Sequence, residues 1–145
     1  MKAKLVLYWI ATALIALETL AGGIVDLTRG RADVVSGPYV ADVVTGLGYP
    51  AYILAILGIW KIPGAITLMV PGFLRLKEWA YAGIVFELTG AAASQAVRGR
   101  ASDITAPVVL LGLALASWGL RPLNRILGDH LLGKARDRNG TGDSK

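Results

Sequence analysis

The stretch Leu76-Lys77-Glu78-Trp79-Ala80-Tyr81-Ala82-Gly83-Ile84-Val85-Phe86-Glu87-Leu88-Thr89-Gly90-Ala91 decides how the chain folds. It opens on a basic, aromatic edge and continues as a largely apolar run to Val97, with one carboxylate, Glu87, inside it. A helix that crosses a bilayer needs about 20 apolar residues, and a charge at its centre costs roughly 2.5–3.5 kcal/mol or more on insertion scales. Glu87 therefore needs a partner or a task. Two other apolar runs each hold such a residue, Glu18 and Lys61.

The rest of the composition agrees. Of 145 residues, 54% are hydrophobic and 17% charged, and the mean hydropathy is +0.56. A soluble domain carries about 25% charged residues. The apolar residues fall into four blocks, which predicts an all-α integral membrane protein, an antiparallel four-helix bundle with spans at about 5–27, 51–70, 79–97 and 104–120. Residues 1–132 form one transmembrane domain on this reading, followed by a polar, disordered tail at 133–145.

Cysteine is absent, so this chain supplies no disulfide, thiolate–zinc site or iron–sulfur ligand. The one histidine, His130, lies beyond the last apolar block, so a buried histidine metal site or bis-histidine haem is not expected either. No catalytic set stands out. Any redox role would depend on a bound quinone or on a partner protein. The net charge of +5 and pI of about 9.7 do not point to nucleic acid, because the basic residues cluster at span ends. There, topology and anionic lipid account for them. The expected partners are the bilayer, and a membrane protein or a second copy of the chain.

Lys2 and Lys4 followed by an apolar core resemble a signal peptide, but the block continues through Gly22, Gly23, Ile24 and Val25, which favours a retained first span. Ser36-Gly37-Pro38 reads as a helix start. Val40, Val43, Val44 and Leu47 recur at helical spacing, predicting a short interfacial helix between spans one and two. Pro63-Gly64 falls inside the second span and is expected to kink it. Ser102 or Asp103 can cap the fourth, with Pro107 tolerated near its start. With the N-terminus inside, the inner side holds Lys2, Lys4, Arg75, Lys77, Arg121, Arg125, Lys134, Arg136, Arg138 and Lys145, against Arg29, Arg31, Arg98 and Arg100 outside. The positive-inside rule therefore puts both termini in the cytoplasm and the protein in the cytoplasmic membrane. Tyr8, Trp9, Trp79, Tyr81 and Trp118 would line the inner interface, and Tyr39, Tyr49 and Tyr52 the outer one.

Depth brings the three charged residues together. At about 1.5 Å per residue, Glu87 lies about 12 Å from the inner edge, Lys61 about 15 Å and Glu18 about 19 Å. Gly and Ala flank each of them at helical spacing: Ala21 and Gly22, then Gly58, Gly64 and Ala65, then Gly83, Gly90 and Ala91. Small residues let membrane helices approach, so these faces should pack inward. The expectation is a buried polar cluster or ligand site of Glu18, Lys61 and Glu87, with Ser94 and Gln95 as polar neighbours. Three roles fit: a structural ion pair, a proton-sensitive or ligand-binding site, and an acid–base pair, which lacks an accompanying nucleophile or metal.

Glu18-Thr19-Leu20-Ala21-Gly22-Gly23, Leu47-Gly48-Tyr49-Pro50-Ala51-Tyr52, Leu57-Gly58-Ile59-Trp60-Lys61, and Leu76 to Gly83 continuing through Gly90-Ala91 together resemble the DoxX-like family of small bacterial membrane proteins. The resemblance covers about Glu18 to Ser94. It implies a four-helix membrane bundle and carries the family's glutamates and lysine onto Glu18, Lys61 and Glu87. Some relatives are named for association with quinol oxidase or thiosulfate:quinone oxidoreductase systems. Relatives often place histidine after the serine of the third span, where this chain has Gln95 after Ser94. The resulting expectation is a non-catalytic accessory or ligand-binding subunit. The alternatives are a quinone-presenting subunit of a membrane oxidoreductase and a proton-coupled small-molecule transporter.

Overall fold

The computed structural model describes residues 2–28, 40–122 and 125. The expected helix start at Ser36-Gly37-Pro38, the interfacial Tyr39 and the tail at 133–145 lie outside the described residues. Among those described, every regular element is helical: α1 (Lys2–Leu27), α2 (Val40–Gly46), α3 (Tyr52–Met69), α4 (Leu74–Val97), a 3₁₀ turn (Ala101–Ile104) and α5 (Thr105–Gly119). Among the described residues, three segments are long and apolar enough to cross a membrane: Lys2–Leu27, Tyr52–Met69 and Ala101–Gly119. Helix α4 has the length, at 24 residues, but is not among them; Glu87, Thr89, Ser94 and Gln95 interrupt its apolar run. This polar character separates the helix from the other three.

Helix α1 packs against α3 and α5, and α4 packs against the same two. The core they enclose is Ile15 and Ala16 of α1, Leu68 of α3, Tyr81, Ile84 and Leu88 of α4, and Ala114 of α5. Tyr8, Ala11, Thr12, Ile15, Ala16 and Thr19 make the buried face of α1, at the three- and four-residue spacing of one helical stripe. The opposite faces remain apolar: Leu14, Leu17, Ile59, Trp60, Phe86 and Val109 are all exposed. A soluble monomer rarely exposes so much contiguous apolar surface, whereas in hydrocarbon it costs nothing.

Glycine sets the distance between α1 and α3. A Cβ on Gly58 would lie 2.8 Å from both the Gly23 carbonyl oxygen and Leu27 Cγ, and one on Gly23 would lie 2.8 Å from Lys61 Cβ. Only residues without side chains let the backbones meet there. Helix α3 runs continuously through Pro63.

The α3–α4 turn passes through left-handed Gly72 (φ 80°) and Phe73 (φ 48°). Lys77 then folds back under it. Its Nζ donates to the carbonyls of Thr67, Leu68 (3.1 Å) and Val70, groups at the end of α3 that lack intrahelical partners. The ammonium also lies at the negative end of the α3 dipole. No side chain caps α5; Ser102 Oγ instead donates to Asp103 Oδ1 at 3.0 Å, within the 3₁₀ turn.

Two of the aromatics expected at the interface point inward instead. Tyr8 and Tyr81 are 1% and 3% exposed, while Trp9, Trp79 and Trp118 stay at the surface. A chain of hydroxyls explains the difference. Tyr81 Oη and Ser117 Oγ are 2.7 Å apart, as are Ser117 Oγ and Thr12 Oγ1, and Thr12 donates to the Tyr8 carbonyl at 2.7 Å. Arg125 Nη1 donates to Tyr8 Oη at 3.1 Å. Each of these hydroxyls finds a partner, which joins α1, α4 and α5 through polar contacts.

Candidate ligand cleft and its ion pairs

Lys61 emerges from α3 opposite Gly22 and Gly23 of α1, and the absence of side chains there leaves its stem a path between the helices. Its Nζ lies 2.8 Å from Asp26 Oδ2 and 2.6 Å from Glu87 Oε1, so one ammonium bridges α1, α3 and α4. Asp26 is almost wholly covered (side chain 3% exposed) and Lys61 nearly so (15%), while Glu87 is more open (25%). A charge in so dry a place is tolerable only when it is paired.

Of the residues expected to form the cluster, Lys61 and Glu87 are in direct contact. Glu18 is close without touching: its Oε1 lies 3.7 Å, and Lys61 Nζ 3.4 Å, from the point a Gly22 Cβ would occupy. The carboxylate in contact at the α1 side is Asp26, two turns further along the helix. Ser94 and Gln95 sit apart from this group. Ser94 Oγ is 2.8 Å from Tyr49 Oη and donates to the Gly90 carbonyl, helping to hold the α2–α3 connection to the end of α4. Arg98 reinforces the same junction, its Nε donating to the Leu47 carbonyl at 3.1 Å beside left-handed Gly48. Gln95 is buried, and its Oε1 has no partner among the described residues.

A cleft of about 310 Å³ opens between α3 and α4 beside the ion pair. Leu57, Trp60, Pro63, Gly64, Trp79, Gly83 and Ile84 supply mostly apolar walls, and Lys61, Glu87 and Thr19 supply polar groups. Trp60 and Trp79 are 74% and 76% exposed, so their rings stand at the rim. A Cβ on Gly64 or Gly83 would meet nothing within 4 Å, so both glycines keep the cleft open rather than bringing helices together.

A second polar group lies near the start of α4, ahead of its apolar stretch. Arg121 Nη1 donates to Glu78 Oε1 at 2.6 Å, and Trp118 Nε1 donates to Glu78 Oε2 at 3.1 Å. The Arg121 guanidinium also lies 5.2 Å from the Tyr81 and Trp118 ring centroids. Burial pushes the Glu78 carboxyl up, but the Arg121 and Trp118 hydrogen bonds and the Arg121 charge outweigh it and hold the carboxyl below the usual 4.5.

Asp26, Lys77 and the Thr12–Ser117–Tyr81 chain did not stand out in the sequence. Asp26 does carry a signal, since it follows Glu18 and Gly22 at four-residue intervals on the small-residue face. Lys77 precedes Tyr81, Ile84 and Leu88 by four, seven and eleven residues, in register with the buried face of α4.

These features define a small helical membrane protein with a charged group buried between its helices and an apolar cleft beside it. The DoxX-like family matches residues 10–117, and the chain belongs to that family. No match was found among curated proteins or solved structures.

Proposed function

We propose that the protein is a four-span module of the cytoplasmic membrane, with the part of α4 from Trp79 onward as the fourth crossing and both termini inside. Its α3–α4 cleft takes up a small, mostly apolar ligand without catalysing a reaction on it. The observation that carries this reading is the cleft itself: apolar walls, a polar end made by Lys61 and Glu87, and two glycines leaving it open. Ligand sites are commonly concave and apolar with a few placed polar groups, and they fall between the helices of bundles. The protein's partners are the bilayer and either a membrane protein or a second copy of the chain.

The test is native mass spectrometry of protein purified with its lipids. A small molecule bound one-to-one in the wild type, and lost in Gly83→Leu at unchanged thermal stability, is the expected result. Equal occupancy in Gly83→Leu overturns the reading, because that side chain would fill the cleft. Apolar walls ending in polar groups also suit a quinone. A co-purifying quinone that is lost in Glu87→Gln would support the second reading, a subunit presenting quinone to an oxidoreductase.

A further inference from the structure

We infer that the cleft selects a lipophilic organic cation, an apolar body carrying one positive charge, with Glu87 as its counterion. This inference rests on the ligand-binding reading of the cleft and names the class of ligand it takes. The argument begins with the balance of charge. Three carboxylates, Glu18, Asp26 and Glu87, surround one ammonium, Lys61. That ammonium is already engaged by Asp26 and Glu87, at 2.8 and 2.6 Å, and most of its surface is covered. It therefore has little to offer an anion. Glu87 is the acidic partner with surface to spare, 25% against 3% for Asp26, and it lines the cleft while Asp26 does not. What the site presents to a newcomer is a carboxylate.

The walls agree with this choice. Trp60 and Trp79 stand at the rim with most of their surface exposed. An indole face attracts a cation through its quadrupole, most strongly where water is scarce, and indole is the best of the aromatic side chains at doing so. An anion would meet surplus negative charge inside and the negative ring faces outside. A neutral molecule would gain from apolar contact alone. A lipophilic cation gains from both.

The experiment uses tetraphenylphosphonium, tetraphenylborate and neutral tetraphenylsilane, which share a shape and differ in charge. Binding to the full chain in detergent micelles is measured by equilibrium dialysis, with protein-free micelles subtracted. The expected result is saturable one-to-one binding of the phosphonium, tighter than the borate or the silane by roughly tenfold or more, with the preference lost in Glu87→Gln. Trp79→Ala, at an exposed position, guards against misfolding of the first variant and is expected to weaken the phosphonium more than the silane. Equal binding of the three probes overturns the inference, as does a phosphonium preference that survives in both variants. Saturable binding of the silane without a phosphonium preference overturns the cation while leaving the cleft a ligand site. If none of the three binds saturably, and no ligand co-purifies, both readings fall.

Discussion

Gly58 of α3 faces Gly23 of α1 so closely that a methyl group on Gly58 would lie 2.8 Å from the Gly23 carbonyl oxygen. That contact fixes how near Lys61, one turn further along α3, comes to α1. Gly58→Ala is therefore expected to force the helices apart and destabilise the protein by about 1–3 kcal/mol, the usual cost of overpacking. Gly64→Ala, where a Cβ meets nothing within 4 Å, should be neutral or add up to about 1 kcal/mol through helix propensity. Thermal unfolding in detergent distinguishes them, and equal midpoints would show that the α1–α3 approach has no such limit.

Lys61 is the only cation in contact with Asp26 and Glu87 among the described residues. Lys61→Met leaves Asp26 buried and unpaired, and should lower stability by about 3 kcal/mol. Adding Asp26→Asn should restore part of that loss, because it removes the stranded charge. The measurement is the unfolding midpoint of the single and double variants. A Lys61→Met protein as stable as wild type would remove the ion pair from the account of the fold.

Acid should act through Glu78. Its carboxyl is held below 4.5 in the folded protein, so the unfolded chain binds the proton more tightly. The stabilisation is fully present above about pH 4.5 and is lost as the pH falls through the lower folded value. With the side chain 32% exposed, the contribution is of order 0.2–1 kcal/mol. The midpoint of wild type should drop more steeply than that of Glu78→Gln as the pH falls below about 4.5; parallel curves would assign the acid sensitivity elsewhere.

Periodicity and hydropathy carried most of the fold. The helix bounds lie within a few residues of the apolar blocks, apart from α4, which already starts at Leu74, ahead of Trp79. Depth along each helix brought Lys61 and Glu87 together, since both lie near the middle of their segments. It failed for Asp26, which sits at the end of its helix, where a carboxylate looks inexpensive. Lysine has a long flexible stem, so its charge reaches away from its Cα, and a depth estimate made from backbones misses where it ends. Ser94 illustrates the other limit. It follows Glu87 by two turns and reads as a neighbour, yet its partner is Tyr49, a pairing made by the turn after α2. The Tyr8 and Tyr81 hydroxyls are similar: their inward direction depends on Arg125 and Ser117, distant in sequence and near only in the fold.

The bridge at Lys61 is mechanically lopsided. On one side, α1 and α3 are locked by backbone-to-backbone glycine contact and by covered Asp26. On the other, beside the cleft, Glu87 tethers α4 to the same ammonium through a more open side chain. A molecule that draws Glu87 toward itself releases that tether without disturbing the α1–α3 pair. The seam between α3 and α4 thus rests on the more open of the two carboxylates, whereas α1 and α3 are joined by a covered carboxylate and by backbone contact as well.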